Sequence, residues 1–370
     1  MRIAYILDSY PSLSETFLAR EIAALRVRGI EITIFAIHAG DGATAIPIPP
    51  FLRATKIFPQ TRTRVWKKIG AHWWNGLPNR QSIAHVHAGF ASHPAALAWG
   101  AAEAANVSWS FSAHARDIWV EGDDLSEKLG AARFATSCTR AGVEALHAKN
   151  EQSEILYAPH GLELLKFPFQ EREWRRGGVM KLLSVGRLVE KKGFAILLES
   201  LAQLRRENFL FAMTIIGQGS ERSNLQRQIQ QLRLGGCVRL AGALPNGETL
   251  AMMQRAHALV FAGVAARDGD RDGLPNVLLE AAALGTPIVA TRAGSVTDFA
   301  DENTAWLCAP NEAASLARAI AEVWRGGEIA RNKAAAARAR LEANFSVASN
   351  VEALATKFQS AIDTRESTPE

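Results

Sequence analysis

The chain has 370 residues, 48% of them hydrophobic and 21% charged, and a formal net charge of +5, which excludes a disordered, collagenous or disulfide-stapled protein. That length exceeds one ordinary hydrophobic core and predicts two domains. No stretch approaches the roughly 20 apolar residues of a membrane-spanning helix.

The opening "RIAYILD" (2–8) reads as a buried strand carrying an acid, not as a signal peptide. The turn "SYPSLSETF" (9–17) leads into a helix over 15–29 that Gly29 closes, and "EITIFAI" (31–37) is the next strand. Between Asp41 and Glu103 there is no acidic residue. That window holds Arg53, Lys56, Arg62, Arg64, Lys67, Lys68 and Arg80 among Phe51, Phe58, Trp66, Trp73 and Trp74. Basic groups with interleaved indoles suit an anionic membrane surface, so 51–80 is expected to touch one. The alternative is a solvated face over a few core aromatics. No nucleic-acid-binding module is present.

Strand "SIAHVHA" (82–88) puts His85 and His87 on one face; with no further ligands in the pattern they read as structural or acceptor-side rather than metal-binding. A helix near 93–105, strand "VSWSFSA" (107–113), strand "RFATS" (133–137), a helix from Thr139 and "EILYAP" (154–159) complete a first half. Prolines, glycines and charges then mark a linker at 161–178. A second series follows: strands at 179–186, 210–217, 237–242, 257–261 and 287–291, with helices between them and three more helices to about 363. Strands alternating with helices make parallel sheets covered on both faces, and such sheets bind ligands at the carboxyl ends of their strands. Cys138, Cys237 and Cys308 form neither a ligand pair nor an even disulfide set, as expected in a reducing cytosol.

The chemistry concentrates in the second series. Gly186 ends a strand, and Arg187 and Lys192, with Lys191 beside them, follow at a helix start; this is an anion site suited to a diphosphate, with a solvated charged turn as the alternative. "IIGQGSERSNL" (215–225) offers Gly217 and Gly219 for close approach of a ligand but lacks the third glycine of a dinucleotide fingerprint, which disfavours an oxidoreductase. "RDGDRDGLPNVLLE" starts like a calcium loop with Asp268, Asp270, Asp272 and Gly273. Its twelfth position is Leu279, and Glu280 comes one residue late, so calcium is rejected. A helix begins at Pro275 instead. Asp272 and Glu280 then stand about 12 Å apart along its axis. That exceeds the spacing of a glycosidase carboxylate pair and fits the two ends of an extended ligand. Asp268 and Asp270 read as a solvated lip.

"GRLVEKKG" (186–193), the D-x7-E of "DGLPNVLLE" (272–280) and "ALGTPIVAT" (283–291) together resemble the retaining GT-B glycosyltransferases of family 4. With "YPSLSETF", "HAGFASHPA" and "SAHARDIW", the resemblance is to the colanic-acid and amylovoran type of bacterial exopolysaccharide glycosyltransferase. It covers nearly the whole chain. It implies an α/β protein of two doubly wound Rossmann-like domains facing a central cleft. Residues 1–160, with a crossing helix at about 347–363, would form the acceptor side. Residues 179–346 would bind the nucleotide sugar. By the same resemblance, Arg187 and Lys192 hold the donor diphosphate and Glu280 its ribose. Asp272, where the family has Glu, and His114, at the end of "FSAHARD", touch the donor sugar as the catalytic candidates. Gly217 and the backbone of Leu274, Pro275 and Asn276 line the donor, and Leu244 meets the base. Ser14, Glu15 and Thr16 form the N-terminal loop near donor and acceptor, although Ser12 and Leu13 replace the Gly-Gly of many relatives.

The expected activity is retaining transfer of a hexosyl group (EC 2.4) from a nucleotide diphosphate sugar to a lipid-linked glycan. It uses no cofactor and no metal, and it takes place in the cytoplasm at the inner membrane. A nucleotide-sugar epimerase or hydrolase of the same fold, and a non-catalytic assembly protein that binds sugar nucleotides, are the rival expectations. Base, sugar and acceptor are not set by these residues.

Overall fold

The computed structural model describes residues 1–12, 15–40, 46–47, 63–77, 80–122, 124–171 and 178–366. The chain forms two units, Met1–Gly161 with Val347–Glu370, and Leu162–Ser346.

The first unit is built on seven parallel strands: β1 (Arg2–Tyr10), β2 (Glu31–Ala39), β3 (Ile46–Pro47), β4 (His85–Ala88), β5 (Ser108–Ala113), β6 (Phe134–Ser137) and β7 (Ile155–Tyr157). Their order is β3-β2-β1-β4-β5-β6-β7. The central strands are buried on both faces, and β1 accordingly reads as an apolar run over most of its length. The doubly wound order reverses between β1 and β4. Helix α1 (Thr16–Val27) and the C-terminal helix Val347–Glu366 share a core against β1. Val347, Val351, Leu354, Phe358 and Ala361 recur every three or four residues and so lie on one face of that helix.

The tryptophans of the basic segment belong to the core. Helix α2 (Thr63–Asn75) packs on α3 (His93–Ala105), and Trp66, Trp73 and Trp74 are 3%, 5% and 0% exposed. Trp73 meets Phe35 edge to face with ring centroids 5.0 Å apart. The Lys67 ammonium lies 2.6 Å from Glu103 Oε1 and 3.8 Å from the centre of the Trp99 ring. The expectation that these indoles meet a membrane is therefore corrected: sequence shows aromatic and basic residues together, but helical periodicity sends them to opposite faces. Arg64 and Lys68 are exposed on the outer face. Phe51, Arg53, Lys56, Phe58 and Arg62 lie outside the described residues. Among the described residues, no helix is long and apolar enough to cross a membrane.

His85 and His87 are structural. Their rings run along a buried ladder of hydroxyls: His85 Nδ1 to Ser108 Oγ at 2.8 Å, His85 Nε2 to Ser110 Oγ at 2.7 Å, and His87 Nδ1 to Ser110 Oγ at 2.8 Å. Thr136 extends the ladder by donating to Ser112 Oγ at 2.8 Å. Burial lowers the pKa of His85 to about 3 and that of His87 well below the ordinary value of 6.5, which keeps both rings neutral. Each folded pKa lies below the unfolded value, so the unfolded chain gains protons first as pH falls. The stabilisation is complete above pH 6.5 and is lost progressively below it. Glu21, raised to about 7 by burial, works in the opposite direction over the same range. Urea midpoints measured at pH 7 and pH 5 should therefore fall with acid, and fall more steeply in Glu21→Gln. A Glu21→Gln variant with a shallower dependence than the parent would overturn this account.

The second unit has six parallel strands: β8 (Met180–Val185), β9 (Phe211–Ile216), β10 (Val238–Gly242), β11 (Ala258–Phe261), β12 (Ile288–Thr291) and β13 (Trp306–Cys308). Their order is β10-β9-β8-β11-β12-β13, so the winding reverses between β8 and β11. The beginning of the sequence-assigned linker belongs to this unit. Leu162 and Phe167 are buried in its core, Leu162 N donates to Phe345 O at 3.0 Å, and Arg338 donates to the carbonyls of Phe167 and Ala283 at 3.0 and 2.7 Å. The prolines, glycines and charges around these residues are what marked the stretch as a linker.

Candidate functional site

In the second unit the loops after β8 and β11 emerge side by side at the switch point. The loop after β8 carries Gly186, Arg187 and the short 3-10 turn Glu190–Lys192, ahead of the helix Phe194–Arg206. The loop after β11 carries Asp270, Arg271 and Asp272, ahead of the helix Asn276–Leu284. Pairing of β11 with β8 makes these loops neighbours although 79 residues separate Lys191 from Asp270.

The two loops are joined by charge. Lys192 Nζ lies 2.9 Å from Asp272 Oδ2. Lys191 Nζ lies 3.0 Å from Asp270 Oδ1, 3.3 Å from Arg271 O and 3.9 Å from Asp272 Oδ1. All four side chains are largely buried, between 9% and 14% exposed. Mutual pairing is what allows charges to remain there, since a buried charge with no partner costs several kcal/mol. Asp270 is therefore not a solvated lip, which corrects the sequence reading, and its pairing with Lys191, which that reading set beside Arg187 and Lys192, is what the sequence did not show. The Lys192 stem lies over Gly186 and its ammonium 5.4 Å from the Phe261 ring centre. Arg187 is exposed and, among the described residues, forms no ion pair.

Two glycines shape the surroundings by steric need. A Cβ at Gly217 would stand 1.8 Å from Gly186 O, so this glycine lets the loop after β9 lie against the loop after β8. A Cβ at Gly294 would stand 2.2 Å from Asp272 O, so the loop after β12 presses on the backbone of Asp272. Pro275 caps the helix Asn276–Leu284 from one residue outside it, a displacement of one from the expected start. At that helix N-terminus, Asn276 Oδ1 is buried with no hydrogen-bond partner. Leu274 and Leu279 are core residues, so only the backbone of Leu274 can serve a ligand. Glu280 is half-buried on the same helix, and Leu244 is half-buried just past β10.

In the first unit, His114 follows β5 directly and caps the short helix α4 (Ala115–Trp119). The Asp117 carboxylate accepts from His114 N and from Ala91 N, both at 3.1 Å. Burial raises the pKa of Asp117 to about 6, against the lowering effect of these bonds. Burial lowers that of His114 to about 4, and the Gly89 backbone beside the ring partly offsets it. The rings of Phe17 and Phe90 pack at 5.0 and 5.1 Å from the His114 ring. Phe17 thus brings the start of α1 to His114. Glu15 caps α1, and the Thr16 hydroxyl accepts from Arg20 Nη2 at 3.0 Å. Ser14 lies outside the described residues.

Residues 168–340 match the family described as glycosyl transferases group 1. The chain is 32% identical over 167 residues to the amylovoran biosynthesis glycosyltransferase AmsK of Erwinia amylovora, covering 45% of this chain and 41% of that one. It is 28% identical over 206 residues to the putative colanic acid biosynthesis glycosyltransferase WcaL of Escherichia coli, covering 55% and 45%. It thus spans less than half the length of these relatives. Among solved structures, it is similar to a glycosyltransferase from Rickettsia africae with TM-score 0.76 at 15% identity, covering 98% of each chain. Anabaena HepE, solved in complex with UDP, gives TM-score 0.74 at 17% identity, covering 97% of this chain and all of that one. At these identities the likeness establishes the fold of two Rossmann-like domains.

Proposed function

Because residues 168–340 match the family described as glycosyl transferases group 1, we propose that the chain is a glycosyltransferase that takes a sugar from a nucleotide diphosphate sugar and passes it to a glycan acceptor. The observation that carries the reading is the cation cluster at the switch point, with Lys192 paired to Asp272 and Arg187 exposed beside it. Cleavage of the donor leaves positive charge on the sugar ring and negative charge on the departing diphosphate. Arg187 and Lys192 meet the diphosphate, and preorganised cations stabilise it as its charge grows. Lys192 leaves Asp272 to do so, while Lys191 keeps hold of the acidic loop. Asp272 is then free to face the sugar. The orphaned Asn276 Oδ1 and the free N–H groups of its helix supply further polar contacts for the donor. Glu280 bonds the ribose, and the loop at Leu244 bounds the base.

Retention at the anomeric carbon follows in this proposal from the departing phosphate taking the acceptor proton on the face it leaves. The reaction as proposed calls for no metal and no cofactor. His114 remains a catalytic candidate by resemblance alone. Exopolysaccharide synthesis is supported by the names of the relatives, and a lipid-linked acceptor at the cytoplasmic face of the inner membrane fits such a role. Arg64 and Lys68, one turn apart on α2, are the exposed cations that would meet anionic lipid. Sedimentation with phosphatidylglycerol vesicles should fall with salt and with Arg64→Glu/Lys68→Glu. Binding that ignores both would remove the membrane from the proposal.

The direct test begins with thermal stabilisation by UDP, GDP and other nucleoside diphosphates and their sugars. A ligand at a hundred times its Kd stabilises by about 2.7 kcal/mol, so the correct base stands out. The matching sugar nucleotide is then incubated alone and with membrane lipid extract. Sugar appearing on lipid only in the second case supports transfer. Hydrolysis or isomerisation of donor alone favours the epimerase reading, and binding without turnover favours the assembly protein.

A further inference from the structure

Three side chains able to bind a metal meet in the first unit. Ligand atoms of His114, Cys138 and His160 all lie within 4.8 Å of one another. The sheet brings them together. Ala113 pairs with Ser137, and Ser137 pairs with Tyr157, so the carboxyl ends of β5, β6 and β7 stand level. His114 and Cys138 are the next residues after two of those strands, and His160 follows the third by three.

The spacing suits one ion. Zinc–sulfur and zinc–nitrogen bonds of about 2.3 and 2.1 Å at a tetrahedral angle put the two ligand atoms about 3.6 Å apart. Cys138 Sγ lies 3.7 Å from His114 Nδ1. Aromatic rings hold the imidazoles in place: Phe17 stacks on His160 at 4.0 Å with an interplanar angle of 16°, and Phe90 packs on His114. The two imidazole rings are themselves 5.6 Å apart, centre to centre. The buried Nε2 of His114 has no well-aligned hydrogen bond.

We propose that His114, Cys138 and His160 bind a divalent transition-metal ion of the zinc class through two imidazoles and one thiolate. Nitrogen and sulfur donors select such an ion over calcium or magnesium, which take oxygen. On binding, the Cys138 thiol releases its proton to solvent and its sulfur lone pair forms the new bond; no electron changes hands. Three protein ligands leave the fourth position to water. The site shares His114 with the proposed catalytic residues, but metal binding is read without donor or acceptor, so its failure and that of glycosyl transfer are distinguishable.

Cobalt(II) is the probe. The full-length protein, stripped with chelator, is titrated with cobalt chloride. The expected result is equimolar binding with a thiolate-to-cobalt charge-transfer band, visible bands of four-coordinate cobalt, and displacement by zinc but not magnesium. Cys138→Ser should abolish the charge-transfer band, whereas Cys237→Ser and Cys308→Ser should leave it intact. His160→Ala should weaken affinity at least about tenfold. Circular dichroism establishes that each variant is folded, and His160→Ala carries the test alone where Cys138→Ser does not fold. A band that survives Cys138→Ser, or wild-type affinity no higher than that of folded His160→Ala, overturns the proposal.

Discussion

Arg187→Ala is expected to weaken binding of the cognate nucleoside diphosphate by roughly ten- to a hundredfold, with the melting temperature of the unliganded protein unchanged. Hydrogen bonds between a guanidinium and phosphate oxygens contribute roughly 1.5–3 kcal/mol, and each 1.4 kcal/mol is about a factor of ten. The fold loses nothing by the change, because the side chain is exposed and, among the described residues, ties no other element down. Arg187→Lys should fall between the two, since an ammonium keeps the charge but not the planar fork. Titration calorimetry and a melting curve on the same samples check both halves. Unchanged affinity would remove Arg187 from the donor site; a lowered melting temperature would make it a structural residue.

Lys191→Met should do the reverse and act first on stability. It removes the ammonium that lies 3.0 Å from Asp270 and 3.9 Å from Asp272, side chains 14% and 13% exposed. Breaking such a buried cluster from one side costs about 3 kcal/mol, and in a unit of this size that lowers the melting temperature by roughly 6–12 °C. Lys191→Met/Asp270→Leu should recover much of the loss, because it removes one of the stranded charges as well. Thermal melts of the two single variants and the double variant decide the point: purely additive losses would mean that no coupling exists between these side chains.

The parts of this molecule legible in sequence are those that local patterning controls. Buried parallel strands such as "KLLSV" and "ALVF" are mostly apolar, and helices separate them, so the two doubly wound sheets could be read directly. Arg187 and Lys192 could be found because they follow such a strand, and Asp272 because it stands just ahead of a helix. What escaped depends on which strands become neighbours. The Lys191–Asp270 pair arises only once β8 and β11 lie side by side. The approach of Cys138 and His160 to His114 depends on the register of β5, β6 and β7. The tryptophans of α2 misled for a different reason: charge and aromaticity were counted along the segment, whereas a helix sorts them by angle.

The C-terminal helix Val347–Glu366 has a consequence for how the chain matures. It packs on Ile3, Tyr5 and Leu7 of the first strand and on Leu18, Ile22 and Leu25 of α1, yet the whole unit Leu162–Ser346 is translated before it. During synthesis the earlier half must wait with that apolar face uncovered, while the later half has everything it needs to close. The order of completion on the ribosome is thus inverted relative to the order of the sequence. The interval before residue 366 emerges is when this nascent chain most needs a chaperone.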